Sequence, residues 1–301
     1  MRDGSSLPFR LTRAHIPGKS AAGGQRAEGR KGRNFKVHRS YLYAPGHSPK
    51  ITARVFERGA DAVILDLEDS VPESAKGEAR EAVARILTEH TAFVRINAVR
   101  SDTARADLDA IAELTRDIKI PKVESPDDVI WVKERVRDAR LHCIIETARG
   151  ILAAAEIAAT PGVADLSIGA VDLAQDLRCP GTWNSLVTAR SIVVLASSAS
   201  GLEPPHDSAY PQIADISGLE VECVLARELG FHGKVAIHPA QVDVINKVFA
   251  PTADELAWAR EVIQVFEAAA GSAAKTSSGA LVDVPVALRA RQILDMERTS
   301  E

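Results

Sequence analysis

No stretch of this 301-residue chain stays apolar long enough to cross a bilayer, and its N-terminus lacks the apolar core of a secretory signal, so no membrane partner is expected. A dominant charge is also missing. Lys and Arg number 37 against 41 Asp and Glu, a formal −4, which gives no overall pull toward nucleic acid. Cysteine is scarce: Cys143, Cys179 and Cys223 are odd in number, far apart and set among apolar or small residues. That pattern argues against a disulfide framework or a zinc site and suits a reducing cytoplasm. No G-x-G-x-x-G follows the first strand-like run, no other Gly-rich phosphate loop occurs, and no G-x-S-x-G elbow marks a serine nucleophile.

What is present divides by composition. Residues 1–36 carry nine Lys or Arg against only Asp3 and Glu28, with much Gly and Ser, and read as a disordered basic segment. An Arg-rich, acid-poor leader of this kind also resembles an organelle transit peptide. From residue 37 short β-branched runs alternate with helical ones: 39–45, 61–67, 92–97, 117–123, 141–147, 165–169, the proline-rich 201–207, and 233–239. Eight strands, each followed by room for a helix, predict an α/β fold, a (β/α)8 TIM barrel spanning 37–250. An open Rossmann-like sheet is the alternative. Residues 251–301 are expected to form a C-terminal helical extension or lid. Its first helix opens on a capping box, Thr252 and Glu255, carries Trp258, Val262 and Phe266 on one stripe, and stops at Gly271.

The chemistry concentrates where strands end. In DAVILDLEDSVPESAKGEAR (61–80), alternation places Ile64, Asp66 and Glu68 on one face of the strand and Val63, Leu65 and Leu67 on the other. Ser70 and Glu73 read as a capping box for the helix that follows. In the next strand Phe93, Arg95 and Asn97 share a face, so Arg95 is expected inside the barrel rim with Asp66 or Glu68 as its counter-charge. Its fork then either forms an internal salt bridge alone or grips a substrate carboxylate. Glu146 and Asp172 end adjacent strands and could share a Mg2+ ion, which takes one or two carboxylates plus substrate and water. Capping the helix at Ala148 is the other reading of Glu146. Lys122 reads as a salt-bridge partner rather than a Schiff-base lysine, and His238 as a hydrogen-bonded structural residue.

These segments, with RSYLYAPG (39–46), PKVES (121–125), ETARG (146–150), GAVDLAQDL (169–177), GFHGKVAIHPAQVDVINKVF (230–249) and ALVDVPVALRA (280–290), resemble the citrate lyase β-subunit-like family of the HpcH/HpaI aldolase superfamily. The resemblance implies a Mg2+-dependent barrel, with Mn2+ as a substitute ion, usually a homotrimer, that makes or breaks a C–C bond next to a thioester of malyl-, citramalyl- or citryl-CoA type. It matches Glu146 and Asp172 to the metal ligands and Arg95 to the arginine on the substrate carboxylate, with Glu68 and Asp69 as the acidic loop beside them. Asp283 matches a tail aspartate that reaches a neighbouring subunit's site as acid/base, and Lys76 and Arg80 read either as contacts to CoA phosphates or as solvated helix residues. Partners are then a 2-oxo acid and an acyl-CoA. One departure stands out: relatives with a GGED-like motif carry a second acid where this chain has Gly169-Ala170-Val171-Asp172, which bears on substrate choice. A citrate lyase β subunit fed by citryl-acyl carrier protein, a 2-oxo acid aldolase without CoA, and a catalytically silent binding protein are the competing expectations.

Overall fold

The computed structural model describes residues 37–299, and the expected basic segment 1–36 lies outside them. In chain order the elements are β1 (Ser40–Pro45), α1 (Pro49–Val55), β2 (Ala62–Asp66), α2 (Lys76–Leu87), β3 (Phe93–Arg95), α3 (Asp102–Ile111), β4 (Asp117–Ile120), α4 (Pro126–Lys133), β5 (Arg140–Ile145) and α5 (Ala148–Ala158). There follow β6 (Val163–Ile168), α6 (Ala170–Asp176), α7 (Trp183–Ser200), β7 (His206–Asp207), α8 (Ile216–Leu229), β8 (Gly233–Ala236) and α9 (Val242–Phe249). The eight strands are parallel neighbours in sequence order, and β1 closes on β8, so the sheet is a barrel with no free edge.

Strand alternation sorts the side chains as expected. Val63, Leu65 and Leu67 join the large apolar layer between strands and helices, whereas Ile64 turns inward beside Tyr41, Phe93 and Val235. The inward face then reaches Asp66 at the last residue of β2.

Three local expectations are corrected. Ser70 and Glu73 form no capping box: a 3-10 turn, Glu73–Ala75, precedes α2, and the Ser70 hydroxyl donates to Asp66 instead. Strand β3 ends at Arg95, and Asn97 leaves the inner face to bond Asp107 on α3 and the Leu67 carbonyl. Strand β7 has only two residues, because Pro204 and Pro205 before it have no N–H for a ladder.

Side chains hold that short strand in place. The Asp207 carboxylate accepts from Arg190 Nε of α7 at 2.9 Å and Lys234 Nζ of β8 at 2.6 Å, and Lys234 also reaches Glu222 of α8 at 2.7 Å. All three residues of the core triplet, Asp207, Arg190 and Lys234, are buried.

Past the barrel come α10 (Ala253–Ala268), a hairpin of β9 (Ala274–Lys275) and β10 (Leu281–Val282), and α11 (Val284–Thr299). Thr252 and Glu255 form the expected capping box. Helix α10 ends at Ala268, shortly before Gly271, whose φ of +80° turns the chain. Ala259, Val262, Val282, Ala290 and Ile293 give this arm an apolar cluster of its own.

Removing the shared carboxylate by Asp207→Ala strands two buried cations. Equilibrium urea unfolding is expected to show a loss of about 3–5 kcal/mol. A loss under about 1 kcal/mol would show that Glu222 alone satisfies both cations.

Candidate active site

The site grows from the register between β2 and β3, which sets Asp66 beside Arg95 at the carboxyl rim of the barrel. Arg95 donates through Nε to Asp66 Oδ1 at 2.6 Å and through Nη2 to Oδ2 at 2.7 Å, a two-pronged pair. Asp66 also accepts from the Glu68 and Ser70 amides and the Ser70 hydroxyl. Burial opposes its ionisation, but the hydrogen bonds and charge of Arg95 hold its carboxyl below the ordinary value. The Tyr43 ring lies 4.8 Å from the guanidinium carbon, so the fork is fixed on its face as well as its edge.

The third arm of Arg95 enters a ring of alternating charge. Nη1 lies 2.9 Å from Glu68 Oε2 and 3.3 Å from Asp69 Oδ2; Lys122 Nζ lies 2.5 Å from Glu68 Oε1 and 3.5 Å from Asp69 Oδ1. Two consecutive acids thus bridge the same two cations. Lys122 is the predicted salt-bridge lysine, and it does more: its backbone, at φ +51°, aims its N–H at Glu146 Oε1, 2.8 Å away.

Glu146 follows β5 and is buried; Asp172 sits in the first turn of α6, half-buried. Helix α6 is tied down at both ends. Ser208, just past β7, accepts from the Ala170 N–H, and Asp176 at the last turn accepts from the Ala148 N–H at the start of α5. Thr147, between Glu146 and α5, caps that helix by accepting from Gly150, so the cap expected as an alternative role of Glu146 is supplied by its neighbour.

Whether a divalent cation suits these residues can be asked of the residues themselves. Glu68 Oε2 is buried and, despite its closeness to Arg95, receives no hydrogen bond. Burial first, then the charges of Glu68 and Asp172, push the Glu146 carboxyl up to about 7. A Cβ on Gly169 would meet Glu146 Oε2 at 2.2 Å, so only glycine leaves that oxygen free of a neighbour. Five carboxylates (Asp66, Glu68, Asp69, Glu146, Asp172) face two cations (Arg95, Lys122), an imbalance that a cation relieves. Among the described residues no three His, Cys, Asp or Glu side chains converge as a ligand set. A pair of carboxylates fits Mg2+, which keeps water and substrate as its other ligands, rather than zinc.

Other expected site residues lie apart from this group. Lys76 is buried, and its ammonium donates to the Leu67 and Glu68 carbonyls at 2.9 and 2.8 Å; Arg80 pairs with Asp107 at 3.2 Å. Lys76 thus braces the acidic loop and Arg80 braces α3. Asp283 accepts from the Val286 N–H at the start of α11, and the hydrogen bonds and ion pairs of the mouth do not include it. His238 is exposed and accepts from the Ala240 N–H, a local cap.

Beneath the mouth lies a polar belt that sequence reading missed. Lys119 Nζ is 2.8 Å from His206 Nε2; His142 bridges Asp165 at 2.6 Å and Asp117 at 2.9 Å. Burial draws the Lys119 ammonium down to about 8, while Asp165 and Asp117 outweigh burial and hold His142 above its ordinary value. The members come from four strands, and only alternate positions in those strands signalled an inward face.

Fold and site together define a (β/α)8 barrel with a carboxylate-rich mouth at its strand ends. The chain belongs to the HpcH/HpaI aldolase/citrate lyase family, whose model matches residues 39–239, and a model for C–C bond lyases of the TIM-barrel fold matches 184–295. It is 36% identical to a (3S)-malyl-CoA thioesterase of Cereibacter sphaeroides over 85% of this chain and 93% of that one. It is also 36% identical to a citrate lyase subunit beta-like protein of Mycobacterium tuberculosis, covering 87% and 97%. A crystal structure of CitE from M. tuberculosis with magnesium, acetoacetate and coenzyme A superposes with a TM-score of 0.75 at 33% identity, covering 89% of this chain and all of that one.

The raised Glu146 carboxyl gives a signed prediction for metal-free protein. Its unfolded form ionises near the ordinary value and its folded form near 7, so its contribution to stability is complete at low pH and lost as pH rises to 7 and above. Glu146→Gln should therefore exceed wild type in stability at pH 8, by on the order of 3 kcal/mol, and lose the advantage by pH 5. Equal stability at pH 8 in denaturant titrations would refute the assignment.

Proposed function

We propose that this chain is a Mg2+-dependent carbon–carbon lyase or synthase acting on a 3-hydroxyacyl-CoA thioester of malyl, citramalyl or citryl type. The observation that carries this reading is the pairing of Glu146 and Asp172 at one rim beside an Arg95 fixed by Asp66. Glu146 and Asp172 would hold the ion, whose charge stabilises the developing carbonyl oxygen. Arg95 holds the carboxylate of the 2-oxo acid portion, with Asp66 preventing its fork from turning. In the cleavage direction the substrate hydroxyl loses its proton to a base, the C–C bond breaks, and its electrons pass to the thioester as an enolate that is then protonated. Asp283 is the group assigned to that protonation, and in the condensation direction it removes the thioester α-proton.

Asp283 reaches a site only if the arm docks, and we assign it to a neighbouring subunit of a homotrimer. In support, Leu281, Val284 and Leu288 around Asp283 are exposed apolar side chains on the arm. A cytoplasmic location fits three cysteines that are all free thiols, together with the absence, among the described residues, of any helix long and apolar enough to span a membrane. The thioesterase name of the C. sphaeroides relative favours hydrolysis as a second reading.

A panel of malyl-, citramalyl- and citryl-CoA, with citryl-acyl carrier protein and free 2-oxo acid adducts as alternatives, tests the reading. Acetyl-CoA plus a 2-oxo acid is the expected product pair; free CoA plus hydroxy acid would identify a thioesterase. Stabilisation by 2-oxo acids with no turnover of any substrate would identify a binding protein. Glu146→Gln and Asp172→Asn should each reduce turnover at least a hundredfold or so and abolish the Mg2+-induced thermal shift. Asp283→Asn should lose turnover while binding pyruvate normally. Mixed with Glu146→Gln, it should regain activity if the arm serves a neighbouring subunit, and should not if it serves its own.

A further inference from the structure

We propose that Asp69 is a built-in occupant of an anion slot between Arg95 and Lys122, and that the substrate carboxylate enters by displacing it. The inference deepens the reading in which Arg95 holds that carboxylate, and adds Lys122 as the second cation of the grip.

Four observations converge. Asp69 touches both cations, but at 3.3 and 3.5 Å, the longest contacts in the ring, against 2.5–2.9 Å for those of Asp66 and Glu68. Its side chain is 55% exposed, whereas Glu68 is 7% exposed and Asp66 1%. Only Asp69 can leave the ring for water at small cost, since an exposed ion pair contributes little and a buried one cannot be broken cheaply. The cations stay where they are: Asp66 grips two nitrogens of Arg95, and Glu68 with the left-handed backbone at residue 122 fixes Lys122. Finally, five acids already oppose two cations, and with a divalent ion bound one negative charge remains in excess. An entering carboxylate adds another, and the swing of Asp69 into solvent removes one. The site exchanges one carboxylate for another on the same two donors. No bond is made or broken in this step.

The slot is tested by titrating the Mg2+-loaded full-length chain with pyruvate in a calorimeter. Asp69→Asn and Asp69→Ala should each lower the dissociation constant by about threefold, the scale of an exposed ion pair. Lys122→Met should raise it by about tenfold. Asp69 variants that bind pyruvate no tighter than wild type overturn the displacement, and unchanged affinity in Lys122→Met overturns the second cation. If Lys122→Met fails to fold, the exposed Asp69 variants still decide the proposal. Methyl pyruvate on the unmodified protein separates this inference from the reading beneath it. If the neutral ester binds as tightly as pyruvate, the carboxylate grip itself is wrong. If pyruvate binds far better than the ester and Asp69 variants do not change it, only the displacement fails.

Discussion

The two-pronged pair of Asp66 and Arg95 is the constraint around which the barrel mouth is arranged. A guanidinium brought inside a barrel needs a counter-charge of matching shape, and the β2–β3 register supplies one at the adjacent strand position. Because Asp66 uses both oxygens on Arg95 and still accepts from Ser70 and the Glu68 amide, it also shapes the loop that follows. That loop delivers Glu68 and Asp69 to the remaining face of the guanidinium. One ion pair thus orders two strands, a loop and two further acids.

An excess of negative charge at the same rim is unfavourable. Folding tolerates it because Lys122 and Arg95 offset part of it and because backbone N–H groups hold Glu146 and both ends of helix α6 in place. The unfavourable part is concentrated on Glu146, with its raised carboxyl, and on the orphan oxygen of Glu68. Such residual imbalance makes added positive charge at this rim favourable.

Most of the barrel was legible in sequence, since strand alternation and the helical stripes record which side faces the core. The rim acids were legible because they interrupt apolar runs at strand ends. What escaped was set by tertiary distance. Ser70 reads as a cap until Asp66, four residues back, claims its hydroxyl; Lys76 reads as a free cation until two carbonyls eight and nine residues away take it. The prolines at 204 and 205 warned of a weak seventh strand, but its replacement by Asp207, Arg190 and Lys234 joins residues from three elements. Asp176 lies four residues after Asp172, and nothing in that spacing announces a bond to the first turn of another helix.

The belt of Lys119, His142, Asp165, His206 and Asp117 has a consequence for how the barrel finds its alignment. Apolar alternation has a period of two, so a strand that slips by two residues along its neighbour keeps every greasy side chain on the correct side. Charged partners have no such tolerance. The same slip would part Lys119 from His206 and His142 from Asp165, leaving buried charges without partners. The belt therefore reads out absolute position along the strands, a vernier on a ruler whose coarse marks all look alike.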